Sequence, residues 1–141
     1  MHAIGLQYVD AFRWPKSSGK RFAEVLSTDS GFIPKTTFDR PSYWHVYQGW
    51  FSKSISGGRV LNVVHVDFVD DADDYVLRIT GQHRLQALSF DDSAQPRPLS
   101  VDAISVSLDE LHALNKRALL SVLTPEMVSA IGMKPSVEDP K

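Results

Sequence analysis

The sequence predicts an α+β domain, an antiparallel β-meander with C-terminal helices packed on one face. Three observations predict it. Extended runs fill residues 43–90, divided by Gly57-Gly58 and by Asp70-Asp71-Ala72-Asp73-Asp74. The strongest helix-start signals, Ser107-Leu108-Asp109-Glu110 and Thr124-Pro125-Glu126, come after those runs. The chain has 141 residues, of which 43% are hydrophobic and 23% charged, which suits one domain with a core of its own. Residues 1–133 form that domain, and 134–141 read as a polar tail.

Taken in order, Ile4 to Phe12 alternate as a strand, and Trp14 to Gly19 carry loop chemistry. Lys20 to Leu26 fit a short helix, with Phe22, Val25 and Leu26 at helical spacing. Ser27 to Pro41 form a connection, an ordered excursion pinned by Phe32 and Phe38. Tyr43 to Ile55 lead into the glycine pair, which suits the positive φ of a tight turn. Arg59 to Val69 are valine-rich, and Tyr75 to Phe90 resume extended structure after the aspartates. Tyr75, Leu77 and Ile79 alternate with Arg78, Thr80, Gln82 and Arg84, which gives that strand one dry and one wet face. After Pro96-Arg97-Pro98, Ser100 to Val106 fit a short final strand. Ser107 and Glu110 then suit a capping box opening a helix, and Pro125 suits the first turn of a second one.

Composition narrows the function. The formal charge of −2 supplies no general attraction to nucleic acid or to an anionic membrane. The absence of cysteine excludes disulfides, thiol catalysis and cysteine metal sites, and it fits a reducing cytoplasm. No window approaches the length of a membrane helix, and the first residues lack signal-peptide character.

The most unusual segment is Tyr43-Trp44-His45-Val46-Tyr47-Gln48-Gly49-Trp50-Phe51. Alternation sends Tyr43, His45, Tyr47 and Phe51 to one face and Trp44, Val46 and Trp50 to the other. Rings on both faces fit a central strand covered on both sides, or a surface that meets another chain, or a ligand pocket. Nucleic-acid stacking is disfavoured, because Arg40, Lys53 and Arg59 are the only basic residues nearby in sequence. Few helices are expected, so one sheet face is left for a partner, and a homodimer is expected.

Catalytic motifs are poor. Ser17-Ser18-Gly19-Lys20 is a broken phosphate loop, since Trp14 stands at the first glycine position and Arg21 follows the lysine. His65 and Asp67 share one strand face, within reach of His45 or His83, but no ligand set for a metal is evident. No serine elbow is present. A non-enzymatic protein is therefore expected, without catalytic residues, metal or cofactor. Asp70, Asp71, Asp73 and Asp74 make an acidic hairpin tip suited to a basic partner.

Gly5-Leu6-Gln7-Tyr8-Val9-Asp10 resembles the G-L-R-Y-I-[ND] segment of a sporadically distributed, uncharacterised bacterial protein family. Leu108-Asp109-Glu110-Leu111-His112 and Leu123-Thr124-Pro125-Glu126 are similar to that family's L-D-x-L-H and [IL]-T-x-[ED] segments. The resemblance covers both ends of the chain and corresponds to the C-terminal half of the usual member, with Gln7 in place of arginine. It carries no activity. The family's patchy distribution implies a defence-linked role, such as inhibitor, antitoxin or immunity protein. His112 is expected to pin its helix to the sheet by a hydrogen bond.

The function expected from sequence is stoichiometric protein binding through Tyr43, Trp44, Tyr47 and Trp50 and through Asp70, Asp71, Asp73 and Asp74. The alternative is a small-molecule or peptide pocket lined by the same four rings.

Overall fold

A computed structural model describes residues 3–40, 43–89 and 98–134, the side chains of 87–89 excepted. Phe90, Pro96 and Arg97, and the tail beyond Lys134, lie outside the described residues. The chain forms the expected α+β fold. Strands β1 (Ala3–Pro15), β2 (Trp44–Lys53), β3 (Gly58–Asp71) and β4 (Asp74–Ser89) make one antiparallel sheet in the order β1-β4-β3-β2. Helix α1 (Val101–Val122) packs against β4 and β1, and the short helix α2 (Pro125–Ala130) follows it. No helix among the described residues is long and apolar enough to cross a membrane.

Two tight turns build the meander. Between β2 and β3, Ser54 N donates to Gly58 O at 2.8 Å, and Gly57 takes a φ of 87° that favours glycine. Between β3 and β4 the tip is Ala72-Asp73, and Ala72 is held at a φ of 50°. The expected strands run within a few residues of their observed ends, with β1 continuing through Trp14 and Pro15.

Two local expectations fail, a short helix and a short strand. Lys20–Leu26 yields only a 3-10 turn at Phe22–Glu24, because Leu26 leaves it to form a bridge with Leu123. Ser100–Val106 is the start of α1 and not a strand. Ser100 caps the helix by accepting from Ala103 N at 3.2 Å, and Asp102 favours the positive end of the dipole. Val101 and Val106 imitate a strand, but both face solvent on the helix. Ser107 is consequently no cap. It is buried inside α1 and donates to Ala103 O at 2.6 Å. The second helix starts as expected, with Thr124 accepting from Met127 N.

The inner face of the sheet carries the core. Ser107, Leu111, Asn115, Ala118, Leu119 and Val122 form the buried stripe of α1. Residues 16–40 cover the β2 side: Phe32 stacks on Trp50 at 5.1 Å, and Phe38 lies 5.7 Å from Phe22. This excursion is tied to the α1–α2 link where Ser27 N donates to Val122 O and Thr124 N to Val25 O, both at 2.8 Å. Helix α1 approaches β4 closely at Gly81, where an added Cβ would stand 1.9 Å from Asn115 Oδ1.

Gly81→Ala is expected to lower the unfolding free energy by about 2 kcal/mol, as overpacking does. Urea denaturation measures it, and adding Asn115→Ala should restore part of the loss. Ala72→Gly should raise stability by about 1 kcal/mol by relieving the left-handed backbone, read as a higher melting temperature.

Candidate functional site: the open face of the sheet

The strand pairing places side chains that lie far apart in sequence on one outer face. Lys53 stands opposite Arg59, and Arg59 stands opposite Gln86. Phe51 pairs with Leu61 and Leu61 with Arg84. Tyr47 pairs with His65 and His65 with Thr80, and His45 pairs with Asp67 and Asp67 with Arg78. No described element packs over these residues. Tyr43, Tyr47 and Phe51 remain 60%, 65% and 50% exposed, where a strand covered on both sides would have buried them.

The rings are organised. Tyr43 and His45 lie 6.1 Å apart, His45 and His65 5.9 Å, and His65 and Tyr47 5.8 Å, a continuous run of π-faces and edges. At the other end of β2 the Arg59 guanidinium sits 4.8 Å from the Phe51 ring centroid. Neighbouring strands are about 4.8 Å apart, so Arg78 and Arg84 on β4 lie roughly 10 Å across the face from β2. Lys53, Arg59, Arg78 and Arg84 form no ion pair among the described residues. Asp67 opposes them, but it is engaged by His65 Nε2 at 3.1 Å. Away from the β3–β4 tip the face is therefore cationic, although the chain carries a net charge of −2.

Half of the ring set expected to bind a partner lies elsewhere. Trp44 is 7% exposed on the inner face, 5.4 Å from Phe22 and 5.8 Å from Phe68. Trp50 is also on the inner face, under Phe32. Tyr43, Trp44, Tyr47 and Trp50 are thus divided between opposite sides of the sheet and line no common pocket. The acidic tip is engaged within the chain. Arg13 binds Asp71 at 2.7 Å and Asp74 at 3.0 Å, and Lys16 approaches Asp70 at 3.7 Å. Asp70, Asp71 and Asp74 are partly neutralised within the chain, which leaves Asp73 outside these pairs.

His65 and Asp67 form the expected contact, joined by His45. His83 lies on the opposite face, and no group of three metal-ligating side chains occurs among the described residues. His112 is held as expected, its Nδ1 2.8 Å from Tyr8 OH. Glu110 plays an unexpected part: it accepts from Ser54 Oγ at 2.7 Å and from Ile55 N at 2.9 Å, tethering the β2–β3 turn to α1.

Beneath α1 lies a buried polar chain. Asn62 Nδ2 donates to Ser52 Oγ at 2.8 Å, which leaves Asn62 Oδ1 to accept from His83 Nδ1 at 2.9 Å. His83 Nε2, beside Asn115, has no well-aligned partner among the described residues. Burial pushes His83 below the ordinary histidine value, and Asn115 opposes the shift.

Sequence reasoning placed Phe51 beside Tyr43 and Tyr47 but left it out of the binding set. It saw Arg78 and Arg84 as a wet strand face without joining them to the rings. Counting the register outward from the two turns would have brought them together. In comparisons with known proteins, no family model, curated protein or solved structure matches the chain.

Because the folded state keeps His83 neutral, unfolding takes up a proton at low pH. Stability should be full above about 6.5, the unfolded histidine value, and should fall as pH drops from there toward the lower folded value. Urea midpoints across pH 5–8 measure this, and His83→Gln should flatten the histidine-dependent part.

Proposed function

We propose that this chain is a non-enzymatic binding module that acts stoichiometrically on an acidic protein partner through the outer face of its sheet. The observation that carries the reading is the column of exposed rings Tyr43, Tyr47 and Phe51 beside the cations Arg59, Arg78 and Arg84, which form no ion pair among the described residues. Tyrosine and arginine dominate interface hot spots, the tyrosine ring because it buries much area at small entropic cost and arginine because its planar guanidinium offers a preorganised fork of donors. The charge selects the partner. A second copy meeting the same face would bring like charges together, whereas an acidic surface with apolar anchors complements it. Inhibitor, antitoxin and immunity roles all fit such binding, and a cysteine-free chain suits the cytoplasm. Single-stranded nucleic acid is the second reading. It is favoured by the continuous run Tyr43–His45–His65–Tyr47, on which bases would stack while arginines met phosphates.

Photo-crosslinking in the native host tests this. A benzophenone side chain at position 47 or 51 should give one defined adduct with an acidic protein, and position 32 on the covered side should give none. Arg78→Glu with Arg84→Glu should abolish the adduct. Tyr47→Ala should weaken the purified complex at least tenfold, or about 1.4 kcal/mol. A nuclease-sensitive adduct would replace this reading with the second one, and an adduct of two identical chains would identify a homodimer. Equal labelling from both sides of the sheet would overturn the docking face.

A further inference from the structure

A second surface lies on the covered side of the sheet, apart from the open face. Residues 16–40 and the end of the β3–β4 hairpin enclose a pocket of about 340 Å³, within the range of small-molecule sites. Its wall is aromatic. Phe22 and Phe68 lie 4.9 Å apart, Phe68 and Tyr75 5.1 Å, and Phe38 packs on Phe22. Its rim is cationic, with Lys20, Arg21 and Arg40 against Asp39. Among the described residues none of these three cations makes an ion pair. Lys16, also at the rim, is already engaged with Asp70, Ala72 O and the Tyr75 ring.

The segment holding the cations is fixed through its backbone. Trp14 Nε1 donates to Lys20 O at 2.8 Å, and Arg21 N donates to Glu24 Oε2 at 2.8 Å. The broken phosphate-loop sequence falls here but does not act as one. Gly19 N donates to Lys16 O at 3.2 Å and Lys20 N to Ser18 Oγ at 3.2 Å, so these two amides are spent locally. Recognition of an anion therefore falls to the Lys20 and Arg21 side chains. A guanidinium meets phosphate with paired donors, and an aromatic wall accepts a flat ring.

The geometry points to a binding site for a small ring-bearing phosphate, of the aryl phosphate or mononucleotide class. The ring lies against Phe22, Phe38 and Tyr75, and the phosphate meets Lys20 and Arg21.

The test titrates the protein with phenyl phosphate, inorganic phosphate and phenol. Calorimetry and tryptophan emission follow binding, since Trp14 and Trp44 both lie about 6 Å from Phe68. Phenyl phosphate should bind at least tenfold more tightly than either fragment. Lys20→Ala with Arg21→Ala should weaken it at least tenfold without changing the melting temperature, because the fixing bonds use backbone atoms. Phe38→Ala should weaken phenyl phosphate and leave inorganic phosphate unchanged. Phenyl phosphate binding no tighter than its fragments, or undiminished in the double variant, would overturn the site. Neither result bears on the open face, whose residues the titration does not involve.

Discussion

The register between β3 and β4 is the constraint from which both surfaces follow. Asp71 pairs with Asp74 at the turn, and the pairing continues without a shift to Arg59 and Gln86. It sends Val60, Asn62, Val64, Val66 and Phe68 of β3 inward together with Leu77, Ile79, His83 and Leu85 of β4. A slip of one residue would turn His65, Asp67 and Arg78 toward the core and the valines toward water. Ala72 accepts a left-handed backbone at the tip of this hairpin.

The inner face is closed by two dissimilar covers. Helix α1 lies over β4 and β1, and its fit depends on Gly81, which admits Asn115 where any other side chain would collide. The excursion lies over β2 and β3 with phenylalanines on and between short 3-10 turns in place of an α-helix. The two covers are tied by Ser27 N to Val122 O and Thr124 N to Val25 O, while Glu110 binds the β2–β3 turn from α1. The Ser52–Asn62–His83 chain satisfies the Asn62 amide and His83 Nδ1 where this packing buries them, which keeps those groups from costing the full desolvation penalty.

No described element covers the other face, and its character follows from what each strand contributes. Strand β2 supplies rings, β4 supplies arginines, and β3 supplies His65 and Asp67, which satisfy one another. The acidic tip that dominates the sequence plays a smaller role in space, because Arg13 from β1 and Lys16 beyond it neutralise much of it. Surface charge is thereby redistributed, with the hairpin tip quietened and the outer face left positive.

Alternation alone determined the strands, the glycine turn and the division of the 43–51 rings between two faces, since a period of two needs only local sequence. The sequence also suggested Phe32 and Phe38 as pins of the excursion, and the helix stripe and the L-D-x-L-H segment suggested His112 as a link from helix to sheet. Local sequence did not decide where α1 starts, because Val101 and Val106 suit a strand as well as an exposed helical turn, and only the Ser100 cap and the buried stripe from Ser107 separate the two. Nor did it decide which face of the sheet is covered. That depended on residues 16–40 folding over Trp44 and Trp50, a long-range contact that no window of sequence contains. The cationic face and the ring-lined pocket are likewise products of tertiary structure, since each gathers residues from strands or loops that meet only when the sheet is assembled.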